Sequence, residues 1–506
     1  MYIDEMQLKE LIKGIPIQET QGRLDIEIIG ITQDSRKVKK GDLFVAIPGH
    51  DSDGHRFIPD AVRQGAAAVV SSQPLSRSVS VPHLLVEDSR QTLADLSARF
   101  YQDPSMKLTV IGVTGTNGKT TVTFLLESIL REAGRRPAVI GTVNCRFAGK
   151  TFPAETTTPE SVDLQRLFSE MLQQGVTDVV MEVSSHALKL GRVRGVHFDV
   201  AAFTNLSQDH LDFHHDLEDY FQSKLRLFSK FLAASKKAKR FAVVNFEDPR
   251  GRTILEEAPI IQEAQAVQKI RTGLTGPYEV SGNSFKLSPD GIEAELLFGS
   301  STQVIRSSLI GQFNLENILV AAGVAHSLGI SSDLIARGIE KVASVPGRLE
   351  KIPNDRGLHI FIDYAHTPDA IARVGHHLRK FASERLITVF GCGGDRDRSK
   401  RPMMGREAGI VSDLVIITSD NPRTENPEEI IDQILPGLRE IGYPEEKILR
   451  IVSREEALRK ALEIAHPGDF LLIAGKGHED YQIIGKEKVP FSDKEVLKKL
   501  LAGAGR

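Results

Sequence analysis

Between residues 108 and 134 an apolar run, LTVIGVTG (108–115), passes through a glycine-rich turn into an amphipathic stretch, with Gly-Lys-Thr at the junction. A buried strand feeding a helix directly opens a βαβ unit, and such units build parallel sheets covered by helices. The rhythm recurs along the chain. The strand-like runs DLFVAI (42–47), AAAVV (66–70), TDVVMEV (177–183), HIFIDYA (359–365), LITVFG (386–391), DLVIIT (413–418) and DFLLIAG (469–475) alternate with helical patterns. This predicts an α/β fold with mainly parallel sheets. At 506 residues the chain exceeds one ordinary core, and three domains are expected. The first covers 1–105 and ends at YQDPS, the second covers 106–344, and the third covers 345–506, beginning at Val345-Pro346-Gly347. In open parallel sheets ligands bind beyond the carboxyl ends of strands, so the polar residues there are the candidates.

Composition removes several classes of function. The 64 basic and 67 acidic residues nearly cancel, and no basic block stands out, so no nucleic-acid partner is expected. No apolar run approaches the ~18 residues of a membrane span, so no membrane insertion is expected. The N-terminal MYIDEMQLKELIKG has no apolar signal-peptide core,. Two distant cysteines, Cys145 and Cys392, make neither a disulfide scaffold nor a CxxC metal site, which fits a reducing cytoplasm,.

The junction Gly115-Thr116-Asn117-Gly118-Lys119-Thr120-Thr121 reads as a phosphate loop. Glycines let backbone amides approach phosphate, Lys119 neutralises the β- and γ-phosphates, and the Thr120 hydroxyl ligates Mg²⁺. The usual first glycine of the pattern is replaced by Val113, with Gly112 and Gly115 flanking it. A metal-binding carboxylate belongs nearby. Glu182 ends the strand TDVVMEV and is either that ligand or a turn residue. The segment SQDHLDFHH (207–215) is rich in possible ligands but satisfies no zinc spacing; its plainer reading is a helix start capped by Asp209,. Downstream, Leu217, Phe221, Phe228 and Phe231 form a helical stripe that includes Lys224,. A lysine there either snorkels to water, the preferred reading on these residues alone, or is buried with lowered basicity.

GTNGKTT (115–121), TTP (157–159), EVSSHAL (182–188), the YFxxK segment ending at Lys224, GxFNxxN (311–317), PGRLE (346–350), DYAHTPD (363–369) and GKGHE (475–479) together resemble the Mur ligase family in order and spacing, over essentially the whole chain. Asp34-Ser35-Arg36 with GDLFVA (41–46), and Asp420-Asn421-Pro422-Arg423, resemble the members that add meso-diaminopimelate. The resemblance implies an N-terminal domain for a UDP-muramyl substrate, a central P-loop-type ATP domain and a C-terminal Rossmann-like domain for the amino acid. It implies an ADP-forming ligase of peptidoglycan synthesis. ATP would activate the D-Glu carboxylate of UDP-MurNAc-L-Ala-D-Glu as an acyl phosphate, which the amine of meso-diaminopimelate attacks.

By the same resemblance Glu182 and His210 are Mg²⁺ ligands, and Lys224 is carbamylated by CO₂ to hold a second Mg²⁺, which reverses the snorkelling preference. Ser35 matches a uridine-side contact. Thr157, Thr158, Ser184 and Arg192 match contacts to the muramyl dipeptide. Asn317 and Arg348 match positions near the ATP base and ribose-phosphate; taken alone, Asn317 reads as a cap and Arg348 as a partner of Glu350. Asp363 and His366 are placed towards the nucleotide. Arg396 reads one diaminopimelate carboxylate, while Arg423, Asn421, Gly475 and Glu479 frame the stereocentre carrying the other, with Asp420 and Pro422 shaping the turn. Competing readings are the same reaction with L-lysine, a folylpolyglutamate or cyanophycin synthetase, and a non-catalytic P-loop regulator.

Overall fold

The computed structural model describes residues 5–49, 53–75, 78–211, 213–256 and 267–503. Three α/β layers carry the chain, each around its own mainly parallel sheet. The first contains β1 (Glu19–Gln21), β2 (Gly30–Thr32), β3 (Asp42–Val45), β4 (Ala68–Ser71) and β5 (His83–Leu85), in the order β1-β5-β4-β3-β2. All neighbours are parallel except β1.

The second sheet has eleven strands: β6 (Thr109–Thr114), β7 (Pro137–Ile140), β8 (Asn144–Phe147), β9 (Lys150–Pro153), β10 (Asp178–Glu182), β11 (Val200–Phe203), β12 (Arg240–Asn245), β13 (Val267–Gly273), β14 (Val280–Ser288), β15 (Gly291–Phe298) and β16 (Ser301–Ser307). Their order is β9-β8-β7-β10-β6-β11-β12-β13-β14-β15-β16. The middle strands are parallel, and β7, β10 and β11 are buried along their whole length, as their continuous apolar runs require,. The antiparallel ribbons at both edges, β8–β9 and β14–β16, extend a sheet expected to be mainly parallel.

Helix α1 (Lys119–Glu132) begins where Gly118 adopts φ +87°. Behind it lie α2 (Gln312–Ser327) and α3 (Ser332–Glu340). Helix α2 is buried on almost every side from Leu315 to Ala325, so it shows no apolar stripe,. Gly338 of α3 meets α1 so closely that a Cβ would overlap the backbone of Ile129.

The third sheet contains β17 (Glu350–Ile352), β18 (His359–Asp363), β19 (Leu386–Phe390), β20 (Leu414–Ile417), β21 (Ile448–Arg450) and β22 (Phe470–Ala474), ordered β17-β18-β22-β19-β20-β21. Only β17 is antiparallel. The register pairs Asp363 with Ala474 and Phe390 with Ile417, which brings Gly391, Thr418 and Gly475 to one edge. A small hairpin, β23 (Tyr481–Ile484) and β24 (Glu487–Pro490), leans over that edge.

Arg454 opens the helix Arg454–Ile464 and is fully buried against the fully buried Asp493, at 2.7 and 2.8 Å, while also donating to the carbonyl of Ala474 at 2.9 Å. This pair anchors the end of β22 immediately before Gly475. Asp493→Ala would strand a buried guanidinium, at a cost of about 3–5 kcal/mol. Urea unfolding followed by circular dichroism should show the C-terminal layer melting first in that variant.

Candidate active site

The parallel register sets Glu182 beside Val113. The carboxylate therefore emerges at the level of the glycine loop that follows β6. The Thr120 hydroxyl donates to both Glu182 oxygens at 3.0 and 3.1 Å. Thr142 holds the same carboxylate, through its amide at 2.9 Å and its hydroxyl at 2.9 Å. Arg348 reaches Thr120 Oγ1 at 3.3 Å and stacks over Tyr364. Its expected partner, Glu350, is instead held by the Gly347 amide and Lys494. Thr142 was not singled out from the sequence, although Gly141-Thr142 follows the apolar β7 just as the other site residues follow their strands.

Gly115 has φ +146°, and a Cβ there would overlap the Thr204 hydroxyl. Its carbonyl accepts from Lys119 Nζ at 2.9 Å and from Lys224 Nζ at 2.8 Å. Lys119 also reaches the carbonyl of Thr116 at 2.8 Å. Burial depresses the basicity of both lysines. The Lys224 ammonium is further disfavoured by Lys119, with Asp209 opposing. Lys224 is only 1% exposed and lies 4.2 Å from the Tyr220 ring centroid. The preference for snorkelling is therefore corrected: the side chain is buried and its Nζ turns inward to the Gly115 carbonyl instead of reaching water. Leu217 leaves the expected stripe and is 40% exposed. The cause is local: Leu217 is the first residue of the helix Leu217–Arg226, whereas Phe221, Phe228 and Phe231 stay buried although the helix passes into a π turn at Leu227–Leu232,.

The helix begins at Asp216, whose side chain caps Asp219, and not at Asp209. Asp209 and His210 lie in the preceding coil, where His210 takes φ +55°. Surrounding protein pushes the His210 imidazole down to about 4, with Asp209 opposing. Asp212 falls outside the described residues.

Thr158 donates to the carbonyl of Glu182 at 2.9 Å and receives the Ser184 amide at 3.1 Å. Arg192 donates to the carbonyl of Thr158 at 3.1 Å and pairs with Glu160 at 3.0 Å. Thr157 reaches Thr142 at 3.0 Å. These four residues thus form one rim beside Glu182. Ser35 stands elsewhere, lining a cavity of about 680 Å³ in the first layer with Gln33, Arg36 and Phe57. Asn317 does not cap α2: its Oδ1 sits above Gly118, and with Arg348, Phe313 and Asp363 it lines a small pocket beside the loop. His366 lines a different cavity from Asp363.

That second cavity, of about 590 Å³, lies between the two sheet edges. His210 and Asp209 contribute from one side, and Arg396, Asp420, Asn421, Arg423, Gly475 and Glu479 from the other. Arg423 takes φ +52°, a costly conformation held by two hydrogen bonds to the hairpin: its amide to Ile483 and its carbonyl from Gly485,. Its guanidinium donates to the carbonyl of Gly394 at 2.7 Å and stands near Arg396, which helps to depress its basicity after burial. Gly475 needs its φ of +110°, and a Cβ there would press on Asp420 Oδ2 at 2.5 Å. Asn421 donates to Glu479 at 2.9 Å. Pro422 turns the chain, and its carbonyl abuts Gly394. Two residues at this edge escaped the sequence reading: the buried Lys476, and Arg401, which binds Glu425 at 2.9 and 3.0 Å and so ties the Arg396 loop to the Arg423 loop.

Hydrogen bonding to Arg401 holds the Glu425 carboxyl at about 2, below its usual 4.5. A depressed acid stabilises the fold above its unfolded pKa and loses that contribution as pH falls through the folded value. The C-terminal layer should therefore weaken between about pH 4.5 and 2. Glu425→Gln should flatten that part of a melting-temperature profile.

Comparison with known proteins agrees along the whole chain. The Mur ligase family, catalytic domain, matches residues 27–101; the Mur ligase middle domain matches 113–325; and the Mur ligase, glutamate ligase domain, matches 347–477. A UDP-N-acetylmuramoyl-L-alanyl-D-glutamate–2,6-diaminopimelate ligase of Geobacter metallireducens is 46% identical over 503 residues, covering 97% of each chain. Its namesake from Caldanaerobacter subterraneus subsp. tengcongensis is 42% identical over 498 residues, covering 98% of this chain and 99% of that one. A solved structure of an enzyme with that name is 33% identical, with a TM-score of 0.70 and 99% of both chains covered. The MurF ligase of Thermotoga maritima in complex with ADP, at 22% identity and a TM-score of 0.63, shares the fold over 94% of this chain and 97% of that one. With three consecutive domain matches and full-length relatives above 40% identity, the chain belongs to the Mur ligase family.

Proposed function

We propose that this chain is an ATP-dependent, ADP-forming ligase that joins meso-2,6-diaminopimelate to the D-Glu γ-carboxylate of UDP-MurNAc-L-Ala-D-Glu in peptidoglycan synthesis. The observation that carries the reading is the cavity between two sheet edges, with His210 at one side and two arginines, Arg396 and Arg423, at the other. In this reading residues 1–105 hold the UDP-muramyl substrate, with Ser35 towards the uridine. Residues 106–344 bind ATP, and residues 345–506 bring the amino acid. Its place of work is the cytoplasm, a setting that suits two free, buried cysteines,. Among the described residues no helix is long and apolar enough to cross a membrane.

ATP lies against the glycine loop, its base beside Asn317 and its phosphates on the amides that open α1. Lys119 exchanges its two loop carbonyls for phosphate oxygens, and Arg348 lies alongside. One hydroxyl and one carboxylate, Thr120 and Glu182, are a donor set that suits Mg²⁺, which takes its remaining oxygens from phosphate and water,. Bound there, Mg²⁺ supplies charge neutralisation for phosphoryl transfer. The rim of Thr157, Thr158, Ser184 and Arg192 orients the dipeptide carboxylate towards the γ-phosphorus. Its oxygen attacks, ADP leaves, and an acyl phosphate forms. The amine of diaminopimelate then attacks the acyl carbon, the carbon–oxygen bond to phosphate breaks, inorganic phosphate departs and one amine proton passes to water.

Lys224 is placed for carbamylation. Its buried amine is driven towards the neutral, nucleophilic form and lies beside the cationic Lys119,. Nitrogen bonds to the carbon of CO₂, a C=O electron pair moves to oxygen, and the amine proton goes to water. The anion that results suits the neighbouring Lys119 and, with His210, a second Mg²⁺. Lys224→Ala should lose about 100-fold or more in activity. Removing CO₂ from the buffer should lower the wild-type rate, with bicarbonate restoring it. Full activity of Lys224→Ala would rule the carbamate out.

Diaminopimelate carries a carboxylate at each end, and a guanidinium is the geometry that reads a carboxylate. L-Lysine, the same reaction's other candidate, lacks the distal carboxylate and would leave an arginine unpaired. Phosphate release and product mass with each amino acid should show strong preference for meso-diaminopimelate. Arg423→Lys should raise its KM by about 10- to 100-fold. Equal turnover of lysine would refute this specificity.

A further inference from the structure

Lys476 takes no part in the chemistry described above, yet its side chain is completely buried behind Asp420, Asn421 and Glu479, which line the amino-acid cavity. A buried ammonium persists only among compensating oxygens. Lys476 draws them from two loops. Its Nζ donates to Glu479 Oε2 at 2.9 Å and to Asn421 Oδ1 at 3.3 Å, and lies 4.0 Å from Asp420 Oδ1. The Tyr481 ring closes over it, with its centroid at 5.6 Å. Glu479 Oε2 also receives Asn421 Nδ2 at 2.9 Å, and Asn421 Oδ1 also receives the Ile483 amide at 2.9 Å. One ammonium therefore pins one oxygen of Glu479 and orients the Asn421 amide. No hydrogen bond among the described residues occupies Glu479 Oε1 or the carboxylate of Asp420, and both residues line the cavity.

Burial raises the pKa of Asp420, with Lys476 and Arg454 opposing; two ionised carboxylates facing one ammonium would leave a single negative charge at this end of the cavity, next to Arg423. We propose that Lys476 is a positioning residue that sets amino-acid specificity: it presents Glu479 and Asp420 as a singly charged acceptor for the one ammonium beside the carboxylate that Arg423 receives. This deepens the diaminopimelate reading and rests on it. Without Lys476 this end of the cavity would hold two uncompensated carboxylates, and Glu479 would lose the contact that fixes its direction.

The test is steady-state kinetics of the full-length protein and its Lys476→Met and Lys476→Gln variants, with meso-diaminopimelate and with L-2-aminopimelate, which lacks the distal amine. The wild type should favour the diamine. In Lys476→Met the KM for diaminopimelate should rise by about 10- to 100-fold, the range carried by a charge-assisted hydrogen bond. The KM values for ATP and the UDP-dipeptide should stay in place, kcat should hold within about threefold, and the preference over aminopimelate should shrink in proportion. Lys476→Gln, which keeps a donor but not the charge, should shift the same quantities less and carries the test if the Met variant does not fold. Unchanged diaminopimelate KM and preference in a folded variant overturn the proposal. So does a fall in kcat with every KM unmoved, which is the mark of a purely structural lysine. A wild type that fails to use diaminopimelate at all overturns the proposed function instead.

Discussion

One carbonyl oxygen, that of Gly115, accepts hydrogen bonds from two ammonium groups, the partly buried Lys119 and the buried Lys224. Like charges so close, away from water, favour loss of a proton or arrival of an anion. Everything around the loop answers that demand. In the proposed function phosphate would be the anion for Lys119, and carbamylation of Lys224 would remove the conflict from the other side. The glycine is indispensable because its backbone, at φ +146°, fits against Thr204 with no room for a side chain.

The opposite edge balances charge differently. Arg396 stands close enough to Arg423 to lower its basicity, while Arg401 and Glu425 lock the loops that carry them. Asp420, Glu479 and Lys476 leave a negative remainder beside that positive pair. A zwitterionic centre, one ammonium and one carboxylate on a single carbon, complements both halves. Both edges consist of loops at the carboxyl ends of parallel strands, so one architectural rule is used twice, and in the proposed function it would face an activating site towards an acceptor site. Backbone strain gathers there too, at His210, Asp395 and Arg423,.

Much of this could be read from sequence because it is local. An apolar strand, two glycines and Gly-Lys-Thr specify a strand, a turn and a helix start within a few residues, and α1 begins at Lys119 as the pattern requires. Glu182 was visible as a charge at the end of a buried run. Less local features misled or were silent. Leu217 matched a helical stripe but sits at the helix start, exposed. Asp209 had the chemistry of a cap, but Asp216 occupies that place. Thr142, Arg401 and Lys476 each draw on a partner far along the chain, Glu182, Glu425 and Asn421 in turn.

Periodicity and turn chemistry alone established an α/β chain of parallel sheets, a glycine-rich strand-to-helix junction and a proline turn carrying an arginine, because each depends on neighbours within one strand or one helical turn. Long-range packing settled the rest. It determined that Lys224 is sealed from water and not snorkelling, that Arg348 turns to Thr120 and not to Glu350, and that Asp363 and His366, three residues apart, serve different cavities. Burial and charge pairing are properties of the space between elements, and no window of sequence contains both partners.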